Sequence, residues 1–400
     1  MANTSAYQIL QVTMIYIWFR HALAILADGR AMIGAIGDSS NTTWSEAPFV
    51  MAEVSKIRSC PRLSMIAVLM HDGQILVSAG PEGELRDITH HITDLLKGQA
   101  MYDIYTIESA LIIRTPDHIV LINLALDGTV INKDCRQLPS AINLISFGQR
   151  YGLVRTIDNR LLQIADKDGE QLVLIEPKVI WEDFDHTSII SEIHCSHKWI
   201  TLMLADGSVH IYRFHTSPDT FAFTTKVASI KGTGITGIVN ATFDALYTLY
   251  LTTSGKCYYY FNDWMLDGHI PTPILVGSLS KTVIVKAYWV CQSSSFLVQD
   301  VDGKLSLLQF APNRDRHGRI GEEEVVPITF FDDKDIVSVH ESGCCTLFVS
   351  RGGQVYREYN IWSYGLNVTR YEFFDANPVA VDDSAYRIKS AGSDHLHQDF

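Results

Sequence analysis

The sequence predicts an all-β chain folded as a single β-propeller with four-stranded antiparallel blades. Three observations predict it. A tight-turn dipeptide recurs eight times along the 400 residues, at spacings of roughly 41–50, a period typical of propeller blades. The segment before each turn is a nearly continuous apolar run, as in residues 246–251 (Leu-Tyr-Thr-Leu-Tyr-Leu), which suits a strand covered on both faces. The segment after it tends to alternate, as in Ser208-Val209-His210-Ile211-Tyr212-Arg213, which suits a strand with one face partly wet.

The copies can be followed in order. The first runs over residues 22–33 and turns at Asp28-Gly29; the second runs over 66–77 and turns at Asp72-Gly73. Copies three and four are weaker and turn near Asp117-His118 and Asp158-Asn159. The fifth, residues 200–211, turns at Asp206-Gly207. The last three turn at Ser254-Gly255, Asp302-Gly303 and Gly352-Gly353. Asp-Gly, Ser-Gly and Gly-Gly suit hairpins because positive φ is cheap at Gly and tolerable at Asp. Residues 7–26 are apolar, but Arg20 and His21 interrupt them, so they read as two strands and not a membrane span. The best helix candidate, residues 88–96 with Thr89 as its cap, reads as an interblade connection. The expected organisation is a propeller over 1–375, then a polar C-terminal tail or blade-closing segment over 376–400.

Composition narrows the function classes. Hydrophobic residues make up 47% and charged residues 19%, which is ample for a packed core. The net charge is −13, so nucleic-acid phosphate is repelled unless basic residues cluster. The densest basic stretch, Arg314-Asp315-Arg316-His317-Gly318-Arg319, is followed at once by Glu322-Glu323-Glu324. Direct binding to DNA or RNA is therefore not expected. The seven cysteines include no CxxC and sit mostly in apolar runs, which fits a reducing, cytoplasmic setting.

Few residues stand out as chemistry. His194, Cys195 and His197 lie close in sequence, but a fourth ligand is missing and the segment sits where a strand enters a blade. No Gly-x-Ser-x-Gly and no phosphate-cradling Gly-x-x-x-x-Gly-Lys occurs. No cofactor or metal is expected, and no catalytic residue is singled out. Of seven tryptophans, Trp44 and Trp264 are the better candidates for interface anchors, because polar, turn-like residues surround them. Residues 312–324 depart most from the repeat and carry Arg314, Asp315, Arg316, His317 and Arg319 as candidate partner contacts.

Three stretches carry a family likeness: Arg20-His21-Ala22-Leu23-Ala24-Ile25-Leu26-Ala27-Asp28-Gly29; residues 72–85, ending Gly80-Pro81-Glu82-Gly83-Glu84-Leu85; and residues 341–356, followed by Asn360 and Gly365. They match a small-residue-and-His strand start, a Leu-Ala-Leu-Thr-like run, Asp-Gly, and a Gly-x-Asn-x-x-Gly-Gln-Leu-Gly tail. The chain thus resembles the regulator-of-chromosome-condensation family from about Tyr7 to Asn367. Most copies lack the full tail, and copies three and four lack the turn Gly. The resemblance implies seven blades, where the turns count eight.

The leading expectation is a protein-interaction propeller. The resemblance implies one specific form, guanine-nucleotide exchange on a small Ras-like GTPase. An exchange factor works by a wedge that disorders the nucleotide's phosphate and magnesium contacts, so it needs no nucleophile. Two alternatives stand beside it: a scaffold of a larger assembly, including a viral or pathogen effector acting in a host cell, and a hydrolase or lyase with a polar axial pocket.

Overall fold

The computed structural model of the chain describes residues 11–18, 21–36, 44–60, 65–79, 83–96, 98–107, 110–125, 127–147, 151–168, 171–180, 189–195, 199–206, 208–217, 220–230, 235–240, 247–261, 274–290, 295–310, 323–342, 345–358, 368–372 and 379–382. They form eight antiparallel sheets, each made of consecutive strands paired in sequence order. The blades span 12–46, 54–87, 103–137, 142–179, 190–230, 235–275, 284–327 and 336–382. Seven have four strands. The eighth has a fifth strand, Val379–Asp382, paired on Val368–Glu372. Eight blades match the eight turns, so the count of seven implied by the resemblance does not hold.

Each recurrent turn joins the second strand of a blade to its third. The Asp side chain builds the turn: its Oδ1 accepts the N–H two residues on, from Arg30 to Asp28 at 3.0 Å, Gln74 to Asp72 at 2.9 Å and Ser208 to Asp206 at 2.8 Å. Copies without the glycine find other routes. Asn159 takes the left-handed conformation itself, at φ 63°. Thr115 closes the third copy by accepting the His118 N–H on its hydroxyl at 2.9 Å.

The apolar run before each turn is explained by where its two sides go. In the second strand of blade 2, Ile66 and Val68 pack into the cluster shared with blade 1, while Ala67 and Leu69 pack into the cluster shared with blade 3. All six residues of Met65–Met70 are buried, as are all six of Tyr151–Thr156. Each such Val, Leu or Ile contributes about 1.5–3 kcal/mol by leaving water. The first strands lie innermost: those of blades 1 and 2, 2 and 3, 4 and 5, 6 and 7, 7 and 8, and 8 and 1 touch each other. A bulge follows the opening residue of the first strand in blades 1, 2 and 4 to 8, as between Val12 and Met14 or Ile190 and Glu192. Such bulges add the twist that fits a strand to a narrow axis.

The ring closes without strand exchange. Blade 1 is complete from its own strands, and so is blade 8. Val12, Ile15 and Ile17 pack on Leu347, Val349 and Val355. The Val12 N–H donates to the Gly353 carbonyl at 3.1 Å, and buried Arg357 donates to the Ile36 carbonyl at 2.8 Å.

Three other junctions carry a side-chain clamp at one equivalent position. Arg114, Arg155 and Gln299 pair across their blades with Asp103, Leu144 and Lys286. Each donates to the carbonyl of the residue opening the next blade: Arg114 to Ile142 at 2.6 Å, Arg155 to Ile190, and Gln299 to Ile336 at 2.8 Å. At the same register Ile25, Leu69, Met203, Leu251 and Val349 are apolar.

Residues 7–26 include two strands, Val12–Trp18 and His21–Leu26. Among the described residues no helix is long and apolar enough to cross a membrane. Residues 88–96 do connect two blades, as a 3-10 turn (Thr89–His91) and one helical turn (Thr93–Leu96). Thr89 is not its cap. The Asp87 carboxylate accepts the Thr89 N–H at 2.8 Å, and the Thr89 hydroxyl instead accepts the Ile75 N–H at 2.9 Å.

Candidate functional site: the turn face

Strand direction sorts the loops. The first strand of each blade starts where the second ends and the fourth ends, so the second-to-third turns and the interblade connections share one face of the ring. The loops from first to second strand and from third to fourth share the other.

On the turn face, the residue just past the second strand bonds back to the residue just before the first. The pairs are Ala27 to Gln11, His71 to Glu53, Ile157 to Ala141, Ala205 to Ile189, Val301 to Val283 and Arg351 to Asp335, at 2.8–3.0 Å. The backbone is thereby satisfied and the side chains are left outside. In blades 8, 1 and 2 these positions carry polar or small residues, and Arg351 pairs with Asp335 at 2.7 Å. In blades 4, 5 and 7 they carry Ile157, Ile189, Val283 and Val301. Ile157 and Val301 are 66% and 65% exposed, and Val285 adds to the same side. Tyr102, 61% exposed, continues the arc over blade 3, its backbone N–H held by the Arg114 carbonyl. Scattered single apolar side chains are ordinary on a surface. Several on one face, at positions that repeat from blade to blade, are more than such scatter.

Around this arc stand the turn carboxylates. The Asp28 carboxyl is held below its usual range first by the Arg30 backbone N–H, and the Asp206 carboxyl first by the Ser208 hydroxyl. Asp28 and Asp158 are matched by Arg30 and Arg160 at 2.8 and 2.6 Å. Asp72, Asp206 and Asp302 have no Arg or Lys partner among the described residues. The face is therefore apolar over part of its circuit and anionic between.

The axis carries a second set of polar groups on the first strands, paired within single strands or with the next blade. Arg58 reaches Asp103 at 3.3 Å and lies 5.9 Å from the centre of the Tyr105 ring. His194 pairs with Glu192 at 2.9 Å, and His340 with the Ser338 hydroxyl at 3.0 Å. Burial pushes the Tyr288 hydroxyl up to about 12 and His340 down to about 4. His194 and Cys195 point to opposite sides of their strand: the Cys195 Sγ lies 3.7 Å from the Ser146 carbonyl, and burial pushes its thiol up to about 12. His197 lies outside the described residues, among which no group of three His, Cys, Asp or Glu could hold a metal.

His340 gives a pH dependence. It is neutral in the fold, whereas the unfolded chain takes up a proton near 6.5. The stability from this group is complete above 6.5 and declines as pH falls toward about 4, by up to ~3 kcal/mol. Unfolding midpoints measured between pH 7.5 and 4.5 are expected to fall more steeply for the wild type than for His340→Gln. Parallel curves would refute this.

Of the partner residues singled out by sequence, Trp44 lies among the described residues. Trp44 opens the fourth strand of blade 1, half-buried, with its indole over Gly34 so closely that a Cβ there would meet the ring. Trp264, Arg314, Asp315, Arg316, His317 and Arg319 lie outside the described residues. The segments holding them join the third strand to the fourth in blades 6 and 7, and both bracketing strand ends face away from the turns. The turn-face arc was not singled out, although its signal is present in the aligned copies. Where two copies have Ala27 and Ala205 before the turn, Ile157 and Val301 stand.

No family model matches the chain, and no curated protein matches it. Solved structures match it at low similarity. Prp20p from Saccharomyces cerevisiae, described with its binding properties to Gsp1p and histones, is 12% identical over 69% of this chain and 80% of that one, with a TM-score of 0.45. Hsv2 from a Kluyveromyces yeast is 11% identical over 79% and 98%, with a TM-score of 0.45. Human WBSCR16 is 11% identical over 66% and 77%, with a TM-score of 0.42. At this distance they transfer no function; yeast RCC1 (Prp20) bound to Kap60 also falls among them, at 10% identity and a TM-score of 0.45.

Proposed function

We propose that the chain is a protein-interaction propeller that docks a protein partner on its turn face. The observation that carries this is the set Ile157, Ile189, Val283 and Val301, exposed at two positions that repeat from blade to blade, with Tyr102 on the same face. Apolar side chains held this way lose little entropy on binding. The test is affinity capture from the native host with the wild type and with Ile157→Asp/Val301→Asp. A partner held by the wild type is expected to fall at least tenfold with the double variant. Equal recovery would refute the assignment of the face.

The repeat resemblance supports a finer form, nucleotide exchange on a small Ras-like GTPase. Adding the protein to a panel of GTPases loaded with fluorescent GDP is expected to accelerate release from one of them. No acceleration across the panel would remove the exchange reading and leave the docking reading standing.

A further inference from the structure

Between blades 2 and 3 the turn face opens into a groove of about 700 Å³. The connection between the blades makes it. Ile92 and Leu96 turn inward to the core shared by these blades, and the backbone at Gly98, with φ 81°, turns the chain back toward blade 3. The groove is lined by apolar side chains, chiefly Met70, Leu96 and Met101, and by Asp72, Thr93 and Gln99.

The groove's polar lining includes Ser55, His71 and Gln74, and its formal charges are the carboxylates of Asp72 and Asp87. The Asp72 Oδ1 takes the Gln74 N–H at 2.9 Å, and its Oδ2 has no donor among the described residues. The Gln99 side chain bonds the Asp117 carboxylate, which orients its amide nitrogen there. Its Oε1 is buried, out of reach of a side chain entering the groove. The Thr93 hydroxyl gives its proton to the Thr89 carbonyl at 2.9 Å, leaving its lone pairs to the groove. Asp87, a second carboxylate in the lining, is already occupied by Thr89 and by the Gln74 amide at 2.8 Å, and adds negative charge. The lining includes no Lys and no Arg, and His71 is its one basic side chain.

A groove that is part apolar and part anionic suits an aliphatic stem ending in a planar, multi-donor cation. A guanidinium presents five donors in a fixed fork to Asp72 Oδ2 and the acceptors beside it, and is more weakly hydrated than an ammonium, a compact, strongly hydrated point charge. The stem buries its methylenes against Met and Leu. We propose that this groove receives an arginine side chain of the docking protein partner. The inference rests on the reading of the turn face as a docking surface, and names the chemistry of one contact on it.

The two methionines of the lining make the site readable. In protein carrying ¹³C-methyl methionine, the Met70 and Met101 signals are assigned with Met70→Leu and Met101→Leu. The chain is then titrated with N-acetyl-arginine methylamide, its neutral citrulline counterpart and its norleucine counterpart. The arginine probe is expected to shift both signals saturably. The citrulline and norleucine probes are expected to bind at least tenfold more weakly. Asp72→Asn keeps the acceptor for Gln74 and is expected to weaken the arginine probe by at least tenfold, with the remaining methionine signals unmoved. Equal shifts from arginine and citrulline, or undiminished binding by Asp72→Asn, would overturn the proposal. If the groove ignores the guanidinium while Ile157→Asp/Val301→Asp still loses the captured partner, only the arginine assignment falls. If a peptide arginine binds and the double variant keeps its partner, the face assignment falls instead.

Discussion

Gly353→Ala is expected to open the ring at its closing junction, at a cost of about 3 kcal/mol. Gly353 has φ 77°, a conformation that L side chains rarely adopt, and an added Cβ there costs ~1 kcal/mol through the backbone alone. The larger effect is steric. The Cβ would lie 2.7 Å from Gln11 Cβ, 2.8 Å from Gln11 Cα and 2.9 Å from Val12 N. Two of these are backbone atoms that cannot rotate aside, so the first strand of blade 1 must shift, at ~1–3 kcal/mol. That shift also stretches the Val12 N–H to Gly353 carbonyl bond of 3.1 Å. Gly303 supplies the control. It occupies the same turn position in blade 7 with φ 82°, but nothing lies within 4 Å of its added Cβ. Gly303→Ala is therefore expected to cost only about 1 kcal/mol. The comparison is read from denaturation midpoints and from amide exchange at Val12, which should accelerate in Gly353→Ala alone. Equal losses in the two variants would show that the junction is not tight.

The same residues show how far the sequence could be read. Asp28-Gly29, Asp72-Gly73 and Gly352-Gly353 announce their turns because positive φ at Gly and an Asx acceptor are local properties. Asp117 and Asp158 were harder to recognise, and the eight-blade count depends on them. Their turns are made by the Thr115 hydroxyl and by Asn159 at φ 63°, which a search for glycine undervalues. The doubly covered second strand was legible from its apolar run, because both faces of Met65–Met70 meet neighbouring blades. The interblade contacts were not. That Gly353 meets Gln11 depends on closing a ring between residues far apart in the chain. The exposed apolar positions of the turn face were legible in principle from the aligned copies. Sequence reasoning favours Trp and Arg as anchors, whereas Ile157 and Val301 look like core residues until the register puts them one step beyond a buried strand. Trp44 stands out in the sequence through its polar neighbours, while its place over Gly34 comes from strand pairing that the sequence does not display.

Arg155→Ala is expected to cost about 3 kcal/mol, and Arg155→Gln less than half of that. Arg155 is buried between blades 4 and 5 and donates to the carbonyl of Ile190. Removing the donor leaves a buried acceptor unsatisfied, at ~1–3 kcal/mol, and strips the aliphatic stem from its packing. The chain itself contains the conservative alternative. At the equivalent position of blade 7, Gln299 bonds the Ile336 carbonyl at 2.8 Å, so a neutral amide satisfies this geometry. Burial also disfavours the Arg155 charge and lowers its pKa. A glutamine loses the extra reach of the guanidinium and keeps the hydrogen bond, without a buried cation to desolvate. Denaturation midpoints of the two variants decide the matter, with amide exchange across Ile190–Cys195 locating the loss. If alanine and glutamine destabilise equally, the hydrogen bond contributes little and the stem alone holds the junction. If glutamine restores the midpoint, the blades are joined here by a side-chain clamp that the apolar junctions, such as that of Leu69, do without.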